Sequence, residues 1–168
     1  MIVLRKVDDA AVERLLDLAV ADADPADVMP PGWTADRPDE FRDFYRGFQD
    51  DAYEIVRDDR TVGMIRLTAE GETGIWVARR ARGDGVGLAA LRRVIEQAPR
   101  RGVTTIVADT TTGNTAALTV LRKAGAILDV DGARVLARIT VPVGTVPAES
   151  PPDSPEPPPT RLDGGVGT

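Results

Sequence analysis

TGIWVARRARGDGVGLAALRRVIEQA, residues 73–98, passes from a β-type run into a glycine-rich turn and straight into a helical pattern. The first six residues carry Ile75, Trp76 and Val77, a strand composition. From Leu88 on, Leu88, Leu91, Val94 and Ile95 fall on one helical face. Between them stand Gly83, Gly85 and Gly87, which permit backbone conformations closed to other residues and let a ligand approach the main chain. A helix start offers unpaired N–H groups and the positive end of the helix dipole, a setting for phosphate or pyrophosphate. Arg79, Arg80 and Arg82 add three positive charges beside the turn. The segment therefore predicts an anion site on a strand–loop–helix unit.

Working outward, Met1 to Val7 reads as a strand. Asp8 and Asp9 precede a helix whose Val12, Leu15, Leu16 and Ala19 recur at helical spacing. Residues 20–50 are acidic and broken by Pro25, Pro30, Pro31 and Pro38, then Phe41, Phe44, Tyr45 and Phe48 mark a short helix with an aromatic face. AYEIVR and TVGMIRLTA flank Asp58-Asp59-Arg60 as a hairpin, and residues 71–74 turn the chain into the strand that opens the decisive segment. Pro99 ends the following helix at Ala98. GVTTIVADT is a β-branched strand, and NTAALTVLRKAG is a helix closed by Gly125. AILDV and ARVLARITV form a last hairpin around Asp131-Gly132. The predicted order β-α-α-β-β-β-α-β-α-β-β is α/β, with a mixed, mostly antiparallel central sheet and flanking helices.

The chain has 168 residues, 21 basic and 27 acidic, with no cysteine and no histidine. Without Cys or His there is no disulfide, thiolate nucleophile, imidazole base or Cys- or His-ligated metal, and no metal site is expected. A charge of −6 argues against nucleic acid as a partner. No apolar run approaches the roughly 18 residues of a membrane span, and the N-terminus lacks the apolar region of a signal peptide. A soluble cytoplasmic protein, monomer or homodimer, is expected. Residues 144–168 hold 7 of the 13 prolines and read as a Pro-rich disordered tail beyond a domain spanning 1–143.

Gly85-x-Gly87-x-x-Ala90, with Asp109 ending the next strand, also satisfies a dinucleotide-binding pattern. That fold needs a run of parallel βαβ units after the loop, and too little chain follows.

Two spaced motifs decide the matter. Val77-Ala78-Arg79-Arg80-Ala81 runs into Arg82-Gly83-Asp84-Gly85-Val86-Gly87, and about thirty residues later stands Asn114-Thr-Ala-Ala117-Leu-Thr-Val-Leu121-Arg-Lys-Ala-Gly125-Ala126. Across residues 63–125 the sequence resembles the GNAT family of N-acetyltransferases, whose loop of type Arg/Gln-x-x-Gly-x-Gly/Ala cradles the pyrophosphate of acetyl-CoA. The resemblance implies acetyl-CoA as co-substrate. It makes Arg82, Gly83, Asp84, Gly85, Val86, Gly87 and Leu88 the pyrophosphate cradle, with Ile75 and Val77 pairing their main chain to the pantetheine arm. It makes the Val77 N–H the oxyanion donor and places Asn114 beside the cofactor, where it also reads as a helix N-cap. It further implies a sheet splayed between the strands of Ile75 and Ile106. Leu121 stands where the family often has a proton-donating tyrosine, and Ala126 where it has phenylalanine, so the general acid is unassigned.

For the base, Glu70 and Glu72 are the carboxylates at the turn before the fourth strand, acting through water; both also read as solvated turn residues. The resemblance implies that the acceptor is recognised by the region before the hairpin, residues 20–50, which holds eight acids and the aromatics Trp33, Phe41, Phe44, Tyr45 and Phe48. Aromatic faces beside carboxylates suit a cationic amine; the same aromatics also read as a core stripe. The expected activity is N-acetyl transfer to a primary amine of a small molecule. A protein or peptide amine, N-terminal or lysine, and a non-catalytic acyl-CoA-binding module are the alternatives.

Overall fold

The computed structural model describes residues 1–142; the 144–168 tail expectation lies outside the described residues. Eleven main elements follow in the anticipated order: β1 (Ile2–Lys6), α1 (Asp9–Asp22), α2 (Pro38–Gly47), β2 (Ala52–Arg57), β3 (Arg60–Leu67), β4 (Thr73–Val77), α3 (Val86–Gln97), β5 (Thr105–Thr111), α4 (Thr115–Lys123), β6 (Ile127–Asp131) and β7 (Arg134–Thr140).

Local chemistry explains the boundaries. Asp8 caps α1, its Oδ1 accepting from Ala11 N at 2.8 Å, and Val12, Leu15, Leu16 and Ala19 are buried as their spacing requires. Pro38 opens α2, where a missing N–H costs nothing. α3 runs two residues earlier than its apolar spacing suggests, taking Val86 and Gly87 into its first turn. It then gives way at Pro99 to a 3-10 turn, Ala98–Arg101. α4 closes on Gly125, at φ +88°, with Ala126 N donating to Leu121 O at 3.0 Å.

The strands form two antiparallel sheets, β1-β2-β3-β4 and β5-β7-β6. Trp76 bonds to Tyr45 of α2, whereas its neighbour Ile75 lies beside the start of α3. Since successive strand residues face opposite ways, α2 and α3 cover opposite faces of the first sheet. β2 is buried along Ala52–Val56, as a strand covered on both faces must be. The core includes Trp33, Phe41, Tyr45, Leu15, Ile55, Ile65 and Ile106, each at most 1% exposed. Each large apolar side chain so buried contributes roughly 1.5–3 kcal/mol.

Between β4 and β5 the sheets touch at one place, a parallel bridge between Glu72 and Val107, with Val107 N donating to Gly71 O at 2.8 Å. A Cβ at Gly71 would lie 2.2 Å from Thr105 O, so only glycine allows this approach. Beyond the bridge the strands part, which is the splay anticipated between Ile75 and Ile106. No helix among the described residues is long and apolar enough to cross a membrane.

Candidate active site

Gly83 and Gly85 adopt φ of +84° and +74°, left-handed values that a side chain would strain. Gly85 is the N-cap of α3 and brings no side chain to it. The ladder of α3 begins with Ala89 N donating to Gly85 O at 3.0 Å. The amides of Val86, Gly87 and Leu88 therefore have no carbonyl to meet within the helix. Gly87 has ordinary backbone geometry, and a Cβ there would lie 3.6 Å from Val120 Cγ2 and 3.8 Å from Ile75 Cδ1. The start of α3 is thus flanked by β4 and α4, at the mouth of the opening between the sheets. Arg82, Gly83, Asp84 and Gly85 are exposed.

Two of the three arginines beside the turn are paired. Arg80 lies 3.6 Å from Asp22, and Arg82 Nη2 donates to Asp27 while its Nε reaches Val77 O at 3.4 Å. Of the three, Arg79 alone has no ion pair among the described residues. Asp84 is held by Arg57 Nη1 at 2.9 Å. Two acids expected to face an acceptor thus brace the glycine loop instead.

β4 presents its edge to the opening. Trp76 is in register with Met64, Ile75 with Ile65 and Val77 with Gly63, while Ala78 N donates to Val62 O at 2.8 Å. Main-chain groups alternate along an antiparallel strand, so if Ala78 bonds toward β3, those of Val77 and Ile75 face the gap. Ile75 and Val77 are half-buried.

Glu70 and Glu72 sit where the sequence places them, exposed in the turn before β4, and neither forms an ion pair among the described residues. Glu72 stands at the joined end of the two sheets. At about 3.3 Å per residue it is roughly 16 Å along the strand from Val77. The structure does not bring these carboxylates to the Val77 amide.

The aromatic face of α2 is mostly core. Trp33, Phe41 and Tyr45 are buried, with ring centroids 5.4 Å apart for Trp33 and Phe41 and 4.2 Å for Phe41 and Tyr45. Trp76 Nε1 donates to Tyr45 Oη at 3.0 Å, and burial pushes the Tyr45 phenol well above the usual tyrosine range. Phe44 and Phe48 are half-buried, and Arg66 already lies over the Phe48 ring at 4.9 Å. Asn114 caps α4, its Oδ1 accepting from Ala117 N at 3.1 Å. Leu121 is buried, 5% exposed, and belongs to the core.

One signal lies in how charge divides along the chain. Residues 1–78, which build β1 to β4, α1 and α2, carry 18 acidic and nine basic side chains; residues 79–142 carry five and eleven. The half that holds the glycine loop is cationic, and the half with α1, α2 and their connection is anionic. Among the described residues no group of three or more acids is placed to hold a metal ion.

The model of the acetyltransferase (GNAT) domain family matches residues 2–127, and the chain belongs to that family. It is an acyltransferase that uses acetyl-CoA. Among solved structures it is similar to yncA of Salmonella typhimurium with its cofactor acetyl-CoA, at 16% identity and TM-score 0.64, over 89% of this chain and 99% of that one. It is also similar to RimJ of Mycobacterium smegmatis in complex with a CoA disulfide, at 21% and 0.65, over 83% and 81%. A Salmonella typhimurium acetyltransferase that modifies the N-terminal serine of ribosomal protein L7/L12 matches at 16% and 0.65, over 84% and 95%. At these identities the likeness is one of fold. No curated protein matches the chain.

Proposed function

We propose that the chain transfers the acetyl group of acetyl-CoA to a primary amine of a cationic small molecule. The observation that carries this reading is the opening between β4 and β5, whose edge of outward-facing main-chain groups leads to the unpaired amides at the start of α3. Pyrophosphate at Val86, Gly87 and Leu88 gains hydrogen bonds and the helix dipole. The carbonyl and N–H groups of Ile75 pair with the amides of the pantetheine arm, and the Val77 N–H donates to the carbonyl oxygen as it gains charge.

The reaction needs no covalent enzyme intermediate. The neutral amine attacks the thioester carbon, the carbon–sulfur bond breaks, the nitrogen gives up a proton and the departing sulfur takes one. Positioning of the two substrates supplies much of the rate. In this reading the amine proton passes to water in the opening; Glu72 lies about 16 Å along β4 from Val77 and Glu70 lies beyond it, so neither carboxylate takes the proton directly. Asn114 contributes as the cap of α4, setting the helix that borders the opening. The anionic half of the chain favours a cationic acceptor, as the cationic half favours the anionic co-substrate.

A peptide amine is the second reading, favoured by the ribosomal-protein acetyltransferase among the similar structures. Thiol release from acetyl-CoA, measured against a panel of polyamines, amino sugars and short peptides with free N-termini or lysines, separates the two. Turnover with polyamines or amino sugars supports the first. Turnover confined to peptides replaces it with the second.

A further inference from the structure

The loop that offers amides to an anion also contains a rival for them. Asp84 lies between Gly83 and Gly85, two residues before Val86, whose N–H is the first unpaired amide of α3. Aspartate side chains readily accept from the backbone N–H two residues on. A carboxylate at a helix start is favoured by the same partial charge that favours phosphate. In this structure Asp84 does not cap the helix. Its Oδ2 instead accepts from Arg57 Nη1 at 2.9 Å, a partner 27 positions earlier at the end of β2.

The pair has the marks of a positioning device more than a stabilising one. Both side chains reach solvent, at 29% and 58% exposure, and such surface pairs add little to stability. Arg57 is rigidly placed, by its pairing with Arg60 and by the two-residue turn of Asp58 and Asp59. Arg57 therefore reaches the loop from a fixed point outside it.

We propose that Arg57 is a positioning residue that holds the Asp84 carboxylate off the amides of α3 and neutralises it, keeping the anion site free for the pyrophosphate of acetyl-CoA. The inference rests on the loop's role proposed above. Without Arg57, the carboxylate turns to the Val86 N–H and competes with the ligand. Without Asp84, Arg57 is left as an unpaired cation beside the same site.

Calorimetric titration of CoA tests this, with thermal melts run on each variant. Arg57→Ala is expected to melt near the wild type yet bind CoA about tenfold more weakly, the scale of a lost charge interaction at a helix start. Asp84→Ala is expected to bind more tightly than the wild type, and the double variant, which lacks both the rival carboxylate and the unpaired cation, to recover about the wild-type affinity. Wild-type affinity in Arg57→Ala, or a double variant as weak as Arg57→Ala, would overturn the proposal. If Arg57→Ala does not fold, Asp84→Ala decides alone: tighter binding supports the assignment and weaker binding refutes it. A wild-type chain that binds no CoA removes the loop reading itself, an outcome distinct from unchanged affinity in the variants.

Discussion

Arg14 and Glu54 meet through two parallel hydrogen bonds, Nε to Oε1 and Nη2 to Oε2, each 2.9 Å long, which join α1 to the centre of the first sheet. Glu54 is fully buried and also accepts from Arg5 Nε and Thr61 Oγ1, both at 2.9 Å. One carboxylate thus ties together β1, α1, β2 and β3. Burial pushes its pKa up, but the hydrogen bonds from Arg14, Arg5 and Thr61 outweigh that, and the carboxyl titrates below the usual glutamate value of 4.5. Its contribution to stability is complete above that unfolded-state value and is lost as pH falls through the lower folded one. Glu54→Gln should cost about 2–3 kcal/mol at pH 7, less than for pairs buried on both sides because Arg5 and Arg14 reach water. Urea unfolding from pH 7 to pH 3 checks it: the gap between wild type and variant should narrow below about 4.5.

Gly87→Glu should abolish CoA binding while the fold survives. A Cβ fits beside Val120 and Ile75, and the backbone there is ordinary, so nothing forces unfolding. The new carboxylate lies in the first turn of α3 and repels pyrophosphate. A calorimetric titration showing wild-type affinity in the folded variant would remove the pyrophosphate from this loop.

Leu121→Tyr should destabilise the protein by about 1–3 kcal/mol, the usual cost of overfilling a packed core. Leu121 is 5% exposed, so the site where relatives place a phenol is here an apolar one. Chemical denaturation measures the cost, and a variant as stable as wild type would show that the ring finds room in the opening.

Asp59→Gly should stabilise the protein by about 0.5–1 kcal/mol. Asp58 and Asp59 both hold positive φ, +49° and +62°, in a two-residue hairpin turn that favours glycine in the second place. A rise in melting temperature of a few degrees is the expected reading, and a fall would mean that the Asp59 side chain is itself needed in the turn.

The order of elements was legible because each is announced by local chemistry. Asp8 caps, Gly125 stops, and the apolar spacing of Val12 to Ala19 is satisfied within one helix. The glycine loop was legible for the same reason. What was not legible depends on contacts between distant positions. Arg80 meets Asp22 and Arg82 meets Asp27 across 58 and 55 residues, and no spacing along the chain announces such a partner. Glu54 sits in AYEIVR as one acid in an apolar strand, with nothing local to say that it is buried among arginines. The stripe of Phe41, Phe44, Tyr45 and Phe48 correctly marks a helix face. Which of those rings line the core is set by Trp33 and Trp76, from other elements.

The single bridge from Glu72 to Val107 has a consequence for shape. Two strand edges that start at the paired spacing of about 4.8 Å and then diverge enclose a tapered slot, closed at one end and open at the other. On the β4 side its wall is a row of peptide groups. A flat or globular molecule cannot enter such a slot, whereas a slender thread with amides along its length can slide in end-on, its tip brought toward the apex and its bulky end left outside. The hydrogen atom that Gly71 carries in place of a side chain sets where the closed end lies. Under the proposed function the slot selects its co-substrate by thickness before any chemistry begins.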